Sequence, residues 1–350
     1  MQNKQKGGAR RWRRAGVACV AAMAALIVAG CKDNPSRALL KNGSSGKTLE
    51  LMIVADRAVY DGSTKLLLDS LFARPQDGLN QPEPLFDVVN IPKSSYESTD
   101  MFRKHRNILI CDIRPGNPNK VYKHTDRVAE PQVAYDFAAR DRRALDSLLR
   151  RHYPQVLGDL YENEYRRIRR VYARDFNADA MGFLRKRFGL EITVPSEYVI
   201  APPATHDFVW LRKETKDYSQ DVLLYVEPYL SQAQFAEDAV LRHLDTMLRH
   251  HVPGPADGSY IGSDHRLPFF SRTVRVGGQY ATEVRGVYRC FGDFYSGPFV
   301  TYAVLSPDRK QVVLLTAFIY SPRKGKRDLL MQVDGIARTL TFMDTLKPRQ

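Results

Sequence analysis

Pro298-Phe299-Val300-Thr301-Tyr302-Ala303-Val304-Leu305-Ser306-Pro307-Asp308-Arg309-Lys310-Gln311-Val312-Val313-Leu314-Leu315-Thr316-Ala317-Phe318-Ile319-Tyr320 sets two apolar runs on either side of a polar turn. Both runs are rich in β-branched and aromatic residues, which favour the extended chain. Pro307-Asp308-Arg309-Lys310 supplies the turn, so Pro298 to Leu305 and Val312 to Tyr320 read as an antiparallel hairpin. A third run, Thr282 to Phe291, precedes them. Further upstream, strands are expected at Leu190 to Val194, Tyr198 to Ala201, Phe208 to Arg212 and Val222 to Val226. Two helices flank the late strands. One, from Ser231 to His250, starts on a Ser cap and carries Phe235, Ala239, Leu241, Leu244 and Leu248 at helical spacing. The other, from Arg327 to Leu340, turns Leu330, Val333, Ile336, Ala337 and Leu340 inward. Consecutive antiparallel strands with helices packed on them define an α+β class with mainly antiparallel sheets.

The first half is built differently. Strands at Leu49 to Ala55, Leu85 to Ile91 and Asn107 to Ile113 alternate with helices near Ser63 to Phe72 and Thr99 to His105, and Pro75, Pro82 and Pro84 interrupt the chain between them. That order is α/β-like. Helices are then expected from Asp136 to His152, from Gln155 to Arg174 across a break at Pro154, and from Ala178 to Phe188 with Gly189 as the stop. The second of these leaves Arg166, Arg167, Arg169, Arg170 and Arg174 mostly outside its apolar face. A solvated face braced by Glu162, four residues before Arg166, is favoured over a ridge for anionic lipid. The boundaries are residues 48–189 for the α/β half with its Arg-rich helices and 190–350 for the α+β half.

Ahead of both lies an address. Residues 1–14 hold six Lys/Arg and no acid, and an apolar run follows from Ala15 to Ala29, too short for a membrane span. Val28-Ala29-Gly30-Cys31 matches the bacterial lipobox, in which Cys31 takes the lipid and becomes the first residue of the mature chain. Residues 1–30 are then a signal peptide and 31–47 a flexible tether rich in Gly and Ser. Lys32, in place of an inner-membrane Asp, points to an outer-membrane lipoprotein, facing the periplasm or the surface. Removing the six leader cations lowers the formal net charge from +14 to +8, so the basic balance does not argue for nucleic acid. Gly43 to Thr48 is no phosphate loop: it lacks the first glycine and precedes a strand, so nucleotide is not expected. No cofactor is expected either. Beyond Cys19 and Cys31 only Cys111 and Cys290 remain, in apolar strand-like segments, and an oxidising envelope admits a disulfide between them.

Three constellations carry candidate chemistry. Glu283 and Arg285 share one face of a strand, while His206 and Asp207 lead another that contains Trp210. An acid and a base in a desolvated cleft can tune a proton donor, but on a sheet they are more often a structural ion pair. Ser259 and Tyr260 lie in the Gly254 to Gly262 loop, before Asp264-His265, without the Gly-x-Ser-x-Gly elbow of a serine hydrolase. His243 and His250 share a helix face, but Met247 stands where a third ligand belongs, so no metal site is expected. The balance favours a non-catalytic binding or structural lipoprotein, with an envelope protein or glycan as partner. The alternative is a hydrolase built around Asp207, Glu283 and Arg285.

Several local motifs stand out along the chain: Asn80-Gln81-Pro82-Glu83-Pro84-Leu85-Phe86, His105-Arg106-Asn107-Ile108, Ala129-Glu130-Pro131-Gln132 and Asp207-Phe208-Val209-Trp210, then Val252-Pro253-Gly254, Glu283-Val284-Arg285-Gly286, Gly297-Pro298-Phe299-Val300 and Tyr320-Ser321-Pro322. Together they resemble the lipoprotein family known as domain of unknown function 4837. Tyr288 and Ile261 stand where Trp and Met are expected. The resemblance implies a Gram-negative envelope lipoprotein and no established activity. The element order of the second half also resembles the Mog1/PsbP-like fold, an analogy of architecture alone.

If Cys31 carries the anchor, Cys31→Ala is expected to move the protein from the membrane fraction to the soluble one. Detergent-dependent sedimentation that persists in the variant counts against the lipobox.

Overall fold

The computed structural model describes residues 43–343; Cys31, the signal peptide and most of the expected tether lie outside them. The first sheet comprises β1 (Glu50–Val54), β2 (Asp87–Ile91), β3 (Asn107–Ile113), β4 (Lys120–Thr125) and β5 (Val133–Ala139), in the order β2-β1-β3-β5-β4. All neighbours are parallel except β4, which closes the edge antiparallel to β5. Parallel strands are covered on both faces, and so lose the alternation that marks a half-exposed strand. On β1, Leu51 and Ile53 pack under helices α1 (Ser63–Phe72) and α2 (Arg142–Tyr172). Met52 and Val54 face the other way, toward Tyr96 and Phe102 of two short helical segments. Burial also explains why β5 is missed: Val133-Ala134-Tyr135-Asp136-Phe137-Ala138-Ala139 reads as the approach to a helix at Asp136, yet becomes a covered strand.

Helix α2 differs from expectation at Pro154, which it runs straight through. An interior proline removes a hydrogen bond and crowds the preceding turn, costing about 3 kcal/mol. The buried face of Leu145, Leu149, Val156, Leu160 and Ile168 outweighs this, since each such side chain contributes roughly 1.5–3 kcal/mol. The helix starts where Asp141 accepts a hydrogen bond from the Ala144 amide at 2.8 Å. Helix α3 (Ala178–Phe188) follows the sequence reading closely. Asn177 caps its start, and Gly189 ends it in the left-handed region at φ 65°.

The Gly/Ser segment before β1 is not free tether. Ser45 and Gly43 form bridges with His105 and Glu130, and the carbonyls of Ser44, Ser45 and Gly46 accept from Arg167 and Arg106. Other ridge arginines are also engaged: Arg166 pairs with Asp126, Arg169 with Glu162, and Arg170 donates to the Glu130 carbonyl. The face is braced, but not by the expected pair: Glu162 holds Arg169, and Arg166 turns to Asp126 instead.

The rest of the chain supplies β6 (Leu190–Glu191), β7 (Val199–Ala201), β8 (Phe208–Glu214), β9 (Ser219–Pro228), β10 (Tyr260–Ser263), β11 (Phe270–Val276), β12 (Gln279–Phe291), β13 (Ser296–Leu305) and β14 (Gln311–Tyr320). Eight of them form an antiparallel sheet in the order β10-β12-β13-β14-β9-β8-β7, with β11 also paired to β12. β6 pairs instead with the terminal strand β15 (Thr341–Phe342). The opening hairpin is as read, in register from Leu305 opposite Val312 to Phe299 opposite Phe318.

The two faces of that hairpin separate by alternation. Val300, Tyr302, Val304, Val313 and Leu315 pack with α3 and with helix α5 (Arg327–Ala337). Phe299, Ala303, Leu314 and Phe318 pack with helix α4 (Glu237–His251). The helix expected from Ser231 is divided: Ser231 and Gln234 form a capping box on a single 3-10 turn, and α4 begins after Ala236. The fold is α+β, and both sheets belong to the unit that begins at Gly43.

Gly335 in α5 lies so close to α2 that a methyl group there would stand 2.7 Å from Ile168 Cγ2. Gly335→Ala is expected to lower unfolding free energy by about 1–3 kcal/mol in denaturant titrations. In combination with Ile168→Ala the losses should be less than additive; strict additivity would mean that the helices do not meet there.

Candidate functional site

Glu283 and Arg285 stand two apart on β12 and therefore share a face. Register brings two further strands to them: Arg272 of β11 and Tyr302 of β13 both lie opposite Glu283. Helix α5 adds Asp334 and Arg338, one turn apart, and α2 adds Tyr165. Glu283 accepts from Arg272 at 3.0 and 3.1 Å, from Arg285 at 2.7 Å and from Arg338 at 2.6 Å. Asp334 accepts from Arg285 at 2.5 Å, Tyr165 at 2.8 Å, Tyr302 at 2.5 Å and Arg338 at 3.2 Å. Both carboxylates are 1% exposed. Arg338 in addition covers the rings of Tyr165 and Tyr302, at 4.7 and 5.2 Å.

Burial pushes both carboxyls up, but the guanidiniums of Arg285 and Arg338 outweigh it and hold both below the usual carboxylate range. They are therefore ionised at neutral pH. Charge attraction likewise overcomes burial for Arg285 and Arg338, which are held above the ordinary arginine value. Every oxygen of the two acids accepts at least two hydrogen bonds from guanidinium or phenol. Such a group has no proton to give and no accessible lone pair with which to take one, so it does not serve as a general acid or base.

Above this floor lies a cleft of about 460 Å³. Leu157, Tyr161 and Tyr165 of α2 form one wall, and Phe269 and Phe270 at the start of β11 form the other. Arg74, Arg272 and Arg285 bring positive charge to it, against Asp77 and the buried Glu283. Arg74 and Asp77 lie 3.6 Å apart on the loop after α1. That loop approaches β12 through Gly78, at φ 80°, where a Cβ would stand only 3.0 Å from the Cβ of Arg285. Burial pushes the Tyr161 phenol up to about 12, which keeps it a neutral donor.

The remaining sequence candidates are elsewhere. Asp207 borders a separate cavity with His206, Tyr225 and Glu227, and accepts from Thr205 at 2.6 Å. It does not join Glu283 and Arg285, so the three-residue hydrolase cleft is not assembled. Ser259 is buried in its own turn, bonded to the amide and carbonyl of Ala256. Tyr260 stacks on Phe291 at 4.9 Å, and Arg249 and Arg289 extend the column on either side, each 4.8 Å from a ring. His243 is held by Glu227, His250 meets His251 edge to face, and His251 stacks on Phe208 at 4.1 Å. The proposed disulfide is absent: Cys111 and Cys290 are free thiols buried in different apolar clusters, out of bridging reach.

What sequence reasoning missed is mostly β11, and with it Arg272, Phe269 and Phe270. The signal was present in Gly277-Gly278, a two-glycine turn between β-forming runs. Asp334 and Arg338 were also visible as a helical pair at four-residue spacing, but only the apolar face of that helix was read.

Trp210 is buried and donates from Nε1 to Asp221 at 2.7 Å. Burial pushes the Asp221 carboxyl up to about 6, with Arg212, Ser219 and Trp210 only partly opposing it. A raised carboxyl favours the folded state while it is protonated, so its contribution is present below the unfolded value and lost as pH rises through about 6. Trp210 emission is expected to titrate with a midpoint near that value, and Asp221→Asn to abolish the transition and the associated stability loss. A wild-type emission profile flat from about pH 4 to about pH 8 would contradict the assignment.

Among the described residues, no helix is long and apolar enough to cross a membrane, and no group of three or more His, Cys, Asp or Glu is placed to hold a metal ion. No curated protein matches the chain. Among solved structures, the crystal structure of LpqN, involved in cell envelope biogenesis of Mycobacterium tuberculosis, is similar over 43% of this chain and 82% of that one, at 15% identity and a TM-score of 0.28. Residues 44–173 match the family described as Domain of unknown function (DUF8532), which takes in the motifs from Asn80 to Gln132. Residues 177–339, which carry Glu283, Arg285, Asp334 and Arg338, match the family described as Domain of unknown function (DUF4837), the family that the sequence motifs resemble.

Proposed function

We propose that this chain is a lipid-anchored protein of the bacterial cell envelope that binds a ligand in the cleft between α2 and the β11–β12 hairpin without converting it. The observation that carries the reading is the saturation of Glu283 and Asp334. Both acids at the floor of the cleft are fully occupied by three arginine and two tyrosine neighbours, which leaves a walled cavity with aromatic sides and no free acid–base pair among the described residues. Its volume lies within the roughly 300–1,000 Å³ of small-molecule sites. The anchor and the outer-membrane placement rest on Val28-Ala29-Gly30-Cys31 and on Lys32.

The competing hydrolase reading requires Glu283 to exchange a proton. Panels of chromogenic esters, phosphates and glycosides are expected to show no turnover that depends on it. Hydrolysis by the purified protein that Glu283→Gln abolishes, with thermal unfolding still cooperative in the variant, would overturn the binding reading.

A further inference from the structure

The charges around the cleft do not balance. Arg272, Arg285 and Arg338 surround two carboxylates, Glu283 and Asp334, so this cluster carries one positive charge in excess. Arg74, with Asp77 beside it, adds an opposing pair at the rim and leaves that excess in place. The unsatisfied capacity can be assigned to atoms. Arg285 uses Nε on Glu283 and Nη2 on Asp334, and Arg272 uses Nε and Nη2 on Glu283. The Nη1 group of each has no acceptor among the described residues, although both side chains line the cavity. An arginine fixed by two of its nitrogens and free at the third is held in place to receive an oxyanion.

The walls constrain the remainder of the ligand. Tyr161, Phe269 and Phe270 present ring surface, and Leu85 and Leu157 add apolar surface. A bare inorganic anion would leave these walls uncovered, whereas an anionic group on a ring or short apolar body fills both kinds of surface.

We propose that the cleft binds an organic oxyanion, a phosphate or carboxylate carried on a ring or apolar body. The charged group sits at Arg272 and Arg285, with Arg74 at the rim, and the body lies against Tyr161, Phe269 and Phe270. This inference rests on the cleft being a ligand site. The same chemistry is offered by a soluble metabolite and by the headgroup of an anionic lipid.

Calorimetric titration of the detergent-solubilised full chain can test it with phenyl phosphate, inorganic phosphate and phenyl glucoside. Phenyl phosphate is expected to bind about ten-fold or more tightly than either partial probe, the scale of one charge-assisted hydrogen bond. Arg74→Gln combined with Arg272→Gln should abolish that preference; both side chains are substantially exposed, so the variant is expected to fold, and unchanged thermal unfolding will show it. Arg272→Lys should restore part of the affinity. Equal binding of phenyl phosphate and phenyl glucoside would overturn the oxyanion assignment while sparing the cleft. No binding of any probe at millimolar concentration would overturn both. Nanodiscs containing phosphatidylglycerol then separate the sources: displacement of phenyl phosphate assigns the site to a lipid headgroup, and undiminished binding assigns it to a soluble anion.

Discussion

Two ionised carboxylates inside a folded chain are tolerable only when each is surrounded by donors, because the effective desolvation penalty is several kcal/mol per ion. Glu283 and Asp334 meet that condition by drawing groups from five elements: β11, β12, β13, α2 and α5. Much else follows from this requirement. α5 must lie across the sheet with Asp334 toward Arg285, α2 must approach closely enough for Tyr165 to donate, and Gly335 provides the clearance for that approach. Removing either acid would leave the buried Arg285 and Arg338 short of one of their two counter-charges, which is more damaging than never having had the pair. The network therefore contributes specificity of arrangement more than net stability.

The cleft is a by-product of the same arrangement. Three guanidiniums are needed to enclose two acids at the junction of strand and helix, and the third does not fit wholly inside. Arg272 remains 61% exposed along its side chain, anchored from below and open above. A charge that must be present for structural reasons is thereby placed where a ligand can use it.

Local patterning reported some of this well. The β13–β14 hairpin, the stop of α3 at Gly189 and the shared face of Glu283 and Arg285 all follow from residues close together in the chain. The alternative weighed for that pair, a structural ion pair on a sheet, is what the fold builds. The misses have a common physical origin. Pro154 is a local breaker overruled by a long buried face; β5 is a covered strand whose alanines suit a helix equally well. Tyr165 and Asp334 meet across 169 residues, a partnership no local window contains. Cys111 and Cys290 suggested a bridge by elimination, but elimination says nothing about which cluster each side chain packs into.

The tie between α2 and α5 also bears on how anything could enter. Tyr165 and Arg285 both hold Asp334, so the wall and floor of the cleft are fastened to one carboxylate, and spreading them would break several charge-assisted bonds at once. A ligand entering there would consequently meet a wall and floor already fixed in place. Occupancy would then track the free concentration of the ligand outside, and exchange would be fast and passive.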